Sequence, residues 1–301
     1  MGVTRFGTAG PFLEKAEAFL AAREVINCMP LSIALRVRVH PEYSPLPPYF
    51  AVVEVGDEVV AASVMTPPLR LCLALTDSPA ALGLIAADVL DLNPALPGVS
   101  GPAPVSGQFA ELWQSLTGAG INHFMAERIY RLVEVKAPAV VTGQARRAVE
   151  ADTDLLIEWL TAFERETFGT VLVNAAQRVQ PYFGDPWRGV YLWTTDRPMG
   201  QPVSMTAFGG YTPHGIRIGP VYTPPEFRGH GYASAGVARA SQDLLDRGRQ
   251  FCCLYTDLSN PTSNHIYQAI GYEPVCDVDD YKFSPSRLAR GNRADGDAFP
   301  G

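Results

Sequence analysis

A glycine-rich turn between a strand and a helix is the feature that most restricts the fold of this chain. The turn contains Gly229 and Gly231, follows an apolar stretch that ends at Tyr222, and precedes a segment with apolar residues at helical spacing. Glycines leave backbone N–H groups uncovered, and the first N–H groups of a helix have no partner within it. Because the helix dipole adds positive charge there, the pattern predicts an anion site, and we expect a pyrophosphate.

The turn matches neither of two common phosphate-binding loops. A dinucleotide-binding GxGxxG pattern fails because position 234 is serine, and no Gly-Lys-Ser/Thr follows as in a Walker loop. The alternative to an anion site is a tight turn that only caps the helix.

The elements around the turn predict an α/β domain. Phe251 to Thr256 is a nearly continuous apolar run, typical of a central strand covered on both faces. Asn260 and Pro261 then open a short helix, with asparagine as N-cap and proline at the first helical position. The other predicted elements are a strand over 146–149, a helix over 152–168, strands over 190–194, 202–210, 215–222 and 275–283, and a helix from the turn to Arg247.

A similar order of elements precedes residue 136. The predicted elements are a helix after Pro11, a hairpin of 49–55 and 58–65, a strand over 69–75, helices over 79–90 and 108–117, and a strand over 128–135. The order of elements repeats, whereas the residues do not. We therefore predict a tandem duplication of two α/β modules, each a mixed, mostly antiparallel central sheet flanked by helices. The predicted ranges are a first domain over 1–136, a linker over 137–144, a second domain over 145–283 and a disordered tail over 284–301.

Composition excludes several classes of protein. An apolar share of 47% excludes a disordered or fibrous chain, and a net charge of −7 argues against a nucleic-acid partner. The five cysteines form no CxxC pair and no Cys/His cluster at zinc spacing, so we expect buried thiols and no metal. With no signal sequence and no apolar run of transmembrane length, the prediction is a cytoplasmic protein without a membrane partner.

Two segments resemble one family. Arg228-Gly229-His230-Gly231-Tyr232-Ala233 resembles the Arg/Gln-x-x-Gly-x-Gly/Ala signature of the GCN5-related N-acetyltransferases (GNAT). The segment from Asn260 to Tyr272 is similar to the second motif of that family, at the order and distance that the family shows. The resemblance covers roughly residues 145–283, while residues 1–136 resemble only the fold.

The resemblance implies that acetyl-CoA is the co-substrate. Backbone N–H groups of the turn would hold the pyrophosphate, and the strand end before it would part from its neighbour and pair with the pantetheine arm. The residues implied in cofactor binding are Val221, Tyr222, Thr223, Arg228, Gly229, His230, Gly231, Tyr232, Ala233, Ser234, Asn260, Ser263, Asn264 and Tyr267.

Tyr267 is the predicted catalytic residue, because a phenol near the departing thiolate can donate the proton that it needs. On a helix it shares a face with Ser263 and Asn264, so all three are expected to point at the ligand. The alternatives are a core tyrosine with one satisfied hydroxyl, and for Asn260 a helix cap without a ligand.

No general base is identified. Asp257 and Glu226 are candidates, although carboxylates at such places are more often solvated or structural, and family members often use ordered water. In the first half, Asp77 stands where a phosphate would have to bind, so we predict that this half does not bind CoA and instead shapes the acceptor cleft or the interdomain contact.

The predicted function is transfer of an acetyl group from acetyl-CoA to an amine of a small molecule or peptide, by direct attack. Backbone N–H groups near Val221 to Thr223 would stabilise the oxyanion. The alternatives are another donor, either a longer acyl-CoA or an aminoacyl donor, and a non-catalytic CoA-binding regulatory module. Sequence does not determine the acceptor or the oligomeric state.

Overall fold

The computed structural model describes residues 1–138, 140–195 and 200–285. Contacts divide the chain into two compact units, neither of which is one continuous range. The first contains Met1–Ile129, Asp257–Ser259 and the chain from Val275, and the second contains Tyr130–Thr256 and Asn260–Pro274. The boundaries of these units differ from the predicted domain ranges 1–136 and 145–283. Those domain ranges remain a prediction.

The first unit contains a mixed sheet with helices packed on it. Its elements are β1 (Gly2–Phe6), α1 (Ala9–Ala21), α2 (Cys28–Val39), β2 (Tyr49–Val55), β3 (Glu58–Met65), β4 (Leu71–Leu73), α3 (Pro79–Leu92), β5 (Gly98–Pro102), α4 (Ala103–Thr117) and β6 (Gly120–Leu132). The sheet runs β1-β2-β3-β4-β5 and continues with the last strand of the chain, Glu273–Ser284. Only β4 and β5 pair in parallel among the pairings described for it.

Three elements of this unit were not predicted, each for a physical reason. β1 is a mostly exposed edge strand, so it lacks an apolar alternation. α2 is buried on most of its surface and therefore shows no one-sided apolar stripe. β5 contains two glycines and a proline, which resemble a loop. Gly98 is required there, because a Cβ atom would lie 2.1 Å from the carbonyl oxygen of Tyr281.

The second unit is built in the same order around the glycine-rich turn. Its elements are β7 (Gln144–Arg147), α5 (Thr153–Phe168), α6 (Ala175–Val179), β8 (Gly189–Thr195), β9 (Gln201–Gly209), β10 (Gly215–Tyr222), α7 (Tyr232–Asp246), β11 (Phe251–Asp257) and α8 (Pro261–Ile270), and the last strand of the chain is β12. The sheet order is β7-β8-β9-β10-β11, antiparallel except between β10 and β11. The predicted mixed, mostly antiparallel fold class is confirmed.

Alternating residues of this sheet enter two separate cores. Tyr191 and Phe208 pack against α7 and α8, while Val190, Leu192 and Met205 pack against α5 and α6. At the end of β10, Val221 contacts the first core and Tyr222 the second. The strand therefore places these two neighbouring side chains on opposite faces of the sheet.

One prediction concerns residues beyond those described. The predicted tail over 284–301 falls largely on residues 286–301, which lie outside the described residues. Among the described residues, no helix has the length and apolar character needed to cross a membrane.

Candidate active site

The strands β10 and β11 part before β10 ends. Their parallel pairing runs from Gly215 to Arg217, whereas β10 stays paired with β9 as far as Tyr222. A register shift between Ile218 and Val221 encloses Gly219 and Pro220, and proline has no N–H to donate to a ladder. An opening between two neighbouring strands is therefore built into the sheet, as the family resemblance implied.

The glycine-rich turn leads from this opening into α7. Gly229 and Gly231 both have φ of +79°, in the left-handed region that glycine adopts without strain. Among the described side chains none caps α7, and its first hydrogen bond runs from Ala235 N to Gly231 O at 3.0 Å. The N–H groups of residues 232–234 thus have no partner within the helix. A Cβ added at Gly229 would meet no heavy atom within 4 Å, so the space above the turn is open.

These features meet in one cavity of about 570 Å³, which we call the cleft. Its wall is formed by Phe163, Glu166, Thr167, Val221, Tyr222, Thr223, Phe227, Arg228, Gly229, Gly231, Tyr232, Ala233, Ser234, Asn260, Thr262, Ser263, Ile266 and Tyr267. The uncapped helix start, the parted strands and the apolar side chains of Phe163, Val221 and Ile266 in the wall fit an anionic cofactor with a flexible arm, such as CoA.

Tyr267 lies in the wall of the cleft, with its ring packed edge-on against Tyr272 at 6.0 Å. The hydroxyls of Tyr272 and Tyr222 bond to Ser241 and Glu166, respectively. No described residue forms a hydrogen bond with the Tyr267 hydroxyl. This differs from the alternative of a satisfied core tyrosine, and it leaves the hydroxyl available in the cleft.

The start of α8 holds a hydrogen-bonded network. Asn260 caps the helix, since its side chain accepts from Ser263 N at 3.0 Å, and it also lines the cleft. The side chain of Asn264 donates to the Asn260 carbonyl at 2.7 Å and accepts from Tyr130 at 3.0 Å. Gln268 donates to the same Tyr130 hydroxyl at 3.0 Å. Asn264 therefore orients the helix, and the face toward the cleft carries Ser263, Ile266 and Tyr267 instead.

Two predicted ligand residues have their side chains engaged elsewhere. His230 packs its ring on Tyr232 at 5.5 Å and contacts the Phe227 carbonyl, so its side chain is not among those lining the cleft. The Arg228 guanidinium lines the cleft but donates to Glu166 at 2.6 Å and to the Thr223 carbonyl at 2.9 Å.

Glu166 was missed by sequence reasoning. It lies in the last turn of α5, lines the cleft, and accepts from both Arg228 and the Tyr222 hydroxyl. Burial, followed by this hydrogen bond, raises the pKa of Tyr222. Phe163 and Thr167 reach the cleft from the same helix. In the sequence, Phe163, Glu166 and Thr167 have the i, i+3, i+4 spacing of one helix face. This spacing alone does not indicate that the face meets a ligand.

The two candidate bases lie outside the cleft lining. Asp257 accepts from the backbone N–H and the hydroxyl of Ser259, both at 2.7 Å, which is a turn-stabilising arrangement. Glu226 is exposed and lines a different cavity. Within the described part of the chain, no group of three or more His, Cys, Asp or Glu side chains could hold a metal ion.

The corresponding region of the first unit has a different geometry. The helix α3 is capped by Ser78, whose side chain accepts from Ala81 N at 3.2 Å, and Pro79 follows without an N–H. β4 remains beside β5, where a Cβ at Gly101 would lie 3.1 Å from the Cβ of Leu73. Neither an open strand pair nor an uncapped helix start is present among these described residues.

Titration of Tyr267 gives a first prediction. Burial raises its pKa to about 12, above the value of about 10 for an exposed tyrosine. Because Tyr267 has a higher pKa in the folded protein than in the unfolded chain, its protonated form contributes to folding stability. This contribution is fully present below about pH 10 and is lost as the pH rises toward about 12. Phenolate absorbance of the native protein and of Tyr267→Phe should therefore coincide up to about pH 10, with an additional ionisation in the wild type only above it. An additional phenolate in the wild type at lower pH would contradict this.

Comparisons with known proteins identify the class to which this fold belongs. The chain has the GNAT fold: a GCN5-related N-acetyltransferase from Sphaerobacter thermophilus matches with a TM-score of 0.59 and 18% identity, covering 93% of this chain and 95% of that chain. A tandem GNAT protein from the clavulanic acid biosynthesis pathway matches with a TM-score of 0.57 and 14% identity, covering 94% and 98% of the two chains. A Drosophila protein matches with a TM-score of 0.67 and 12% identity, covering 94% and 99%.

The sequence itself matches one family model in part. Residues 204–279, which include the turn and the Asn260 to Tyr272 segment, match the family described as FR47-like protein. No curated protein matches the sequence. The predicted similarity to the GNAT superfamily, with a tandem arrangement, is confirmed at the level of fold.

Proposed function

We propose that the protein is an acetyl-CoA-dependent N-acetyltransferase of the cytoplasm that acts on an amine of a small molecule or peptide. The observation that carries the proposal is the cleft, where the parted strand end, the uncapped start of α7 and Tyr267 lie in one wall. Acetyl-CoA would supply a thioester, from which the acetyl group is transferred and the sulfur departs.

In this proposal, different residues bind the cofactor, stabilise the oxyanion and donate the proton. Backbone N–H groups of residues 229–234 bind the pyrophosphate, and the open edge of β10 at residues 221–223 pairs with the pantetheine arm. N–H groups at this edge also face the developing charge on the acyl oxygen. Tyr267 is protonated at neutral pH, since its pKa of about 12 lies far above it, and it donates this proton to the departing sulfur, while the attacking nitrogen gives up its own proton to water.

The test is incubation of the full chain with acetyl-CoA and a library of primary amines, with thiol release and product mass as readouts. We expect acetylated products from at least one class of amine. Mass spectrometry of acyl species that co-purify with the protein decides between an acetyl, a longer acyl and an aminoacyl donor. CoA binding without any transfer would instead indicate a regulatory module.

We also propose that the first unit binds no CoA, because Ser78 caps its α3 helix and β4 stays beside β5. Calorimetric titration with CoA should therefore give one molecule bound per chain. As a matched check, Ser78→Ala removes the cap without touching the cleft and should leave this stoichiometry unchanged, because β4 still lies beside β5. Two molecules per wild-type chain would overturn the assignment.

A further inference from the structure

One carboxylate connects the helix α5 to the end of β10. The side chain of Glu166 accepts hydrogen bonds from the Tyr222 hydroxyl at 3.0 Å and from the Arg228 guanidinium at 2.6 Å. The guanidinium carbon of Arg228 also lies 5.8 Å from the centre of the Tyr222 ring. We call these three residues the clamp. Its members come from α5, from β10 and from the start of the glycine-rich turn, and each of them contacts the other two.

The clamp is attached to the rest of the unit at two further points. The Tyr222 ring is only 7% exposed and packs on Trp159, with the ring centroids 6.3 Å apart. Arg228 donates from Nε to the carbonyl of Thr223 at 2.9 Å. An exposed ion pair by itself contributes little to stability. Here the pair belongs to a network that joins a nearly buried ring to a backbone carbonyl, and such a network fixes the geometry of its members.

These bonds determine the direction of the backbone at the end of β10. The Ser204 hydroxyl on β9 donates to the Tyr222 carbonyl at 3.2 Å and is bonded to the Thr223 hydroxyl at 2.8 Å. Because the peptide group between Tyr222 and Thr223 is planar and trans, the Thr223 N–H points away from β9, toward the opening of the sheet. The Thr223 carbonyl, bonded to Arg228, fixes the direction in which the chain leaves the strand.

The contacts of Arg228 favour a role in positioning over a role as a phosphate ligand. Its charge is paired with Glu166, and its Nε is bonded to the Thr223 carbonyl. By contrast, the backbone N–H groups of residues 232–234 have no partner within α7. The backbone of the turn is therefore the anion site, whereas Arg228 belongs to the clamp.

We propose that Glu166 is a positioning residue, which acts through Tyr222 and Arg228 to hold residues 221–223 in the conformation that pairs with the pantetheine arm of CoA. The inference rests on the proposed function, because it takes the arm to lie along this strand end. It separates two parts of cofactor binding. Loss of the clamp weakens the binding of the arm and leaves the binding of the pyrophosphate unchanged.

The experiment compares the affinities for CoA and for ADP, measured by calorimetry. Both ligands contain a pyrophosphate, but only CoA has the pantetheine arm. The full chain is compared with Glu166→Ala, with Arg228→Met and with the double variant. Glu164→Ala is the matched control, because Glu164 lies on the same helix, pairs with Arg178 at 3.0 Å and is not among the residues that line the cleft.

We expect Glu166→Ala and Arg228→Met each to weaken CoA binding about tenfold. The affinity for ADP should stay within about threefold of the wild type, since a single charge near the site is screened by salt. The double variant should also lose about tenfold in CoA affinity, because the two residues act as one unit. Glu164→Ala should bind both ligands as the wild type does. ADP binding and thermal unfolding verify that each variant is folded.

Three results would overturn the proposal. The first is an unchanged CoA affinity in Glu166→Ala. The second is an equal loss of CoA and ADP affinity in Arg228→Met, which would make Arg228 a phosphate ligand. The third is a loss in the double variant equal to the product of the two single losses, which would show that the two residues act independently.

The amine-library assay separates this failure from failure of the proposed function. If acetyl transfer is found but Glu166→Ala keeps its CoA affinity, only the positioning role is wrong. If the expected losses of CoA affinity are found but no amine is acetylated, the positioning role stands and the transferase proposal is wrong. If the wild type binds neither CoA nor ADP, both proposals are wrong.

Discussion

Replacement of Tyr267 by phenylalanine should lower turnover by about a hundredfold or more, the usual range for loss of a general acid. Affinity for acetyl-CoA should stay close to that of the wild type, because the ring remains in the cleft wall and packs against Tyr272. Turnover is measured as thiol release with an acceptor found in the amine library, and affinity by calorimetry.

Tyr272→Phe is a matched control for this change. It removes the same hydroxyl from the neighbouring ring, but that hydroxyl bonds to Ser241 at 2.8 Å and lies outside the cleft lining. The control should lose about 1 kcal/mol of folding stability and keep its turnover. Unchanged turnover in Tyr267→Phe across the pH range would remove Tyr267 from the mechanism.

Replacement of Gly229 by alanine should weaken CoA binding by about ten- to a hundredfold, equivalent to about 1.4 to 2.8 kcal/mol. The new methyl group would point into open space in the free protein, since no heavy atom lies within 4 Å of that position. In the complex the same space is needed for the close approach of a phosphate to the backbone.

The left-handed backbone at position 229 would also strain an alanine there, so a control variant must carry the same strain. Gly248, just beyond the other end of α7, has φ of +98° and likewise no heavy atom within 4 Å of a Cβ. Both Gly229→Ala and Gly248→Ala should lose about 1 to 2 kcal/mol of stability. Only the first should lose CoA affinity, and equal affinities for the two variants would contradict a phosphate site at the turn.

Local sequence signals predicted much of the fold correctly. The strands Tyr49–Val55, Glu58–Met65 and Gly215–Tyr222 have the predicted bounds, because alternation and flanking turn residues act over short distances. The start of α8 at Pro261, after an asparagine cap, was predicted for the same reason. β5 was missed because its glycines serve contacts with distant residues.

The candidate site was predicted in part. The glycines of the turn and Tyr267 line the cleft. Short sequence motifs were enough to identify these residues. Asn264 was expected beside them on the same helix face, yet its side chain bonds to Tyr130, a residue 134 positions away. Helical spacing gives the faces of a helix, but the packing of the unit decides which face meets a ligand.

The sequence by itself therefore determined the glycine-rich turn, the order of the elements around it and the resemblance to the GNAT superfamily. Only the tertiary structure placed Glu166 beside Tyr222 and Arg228, which lie 56 and 62 residues further along the chain. It likewise packed Trp159 against Tyr222, with their ring centroids 6.3 Å apart. The physical reason is that caps, turns and alternation depend on neighbouring residues, whereas a cavity depends on how distant elements pack.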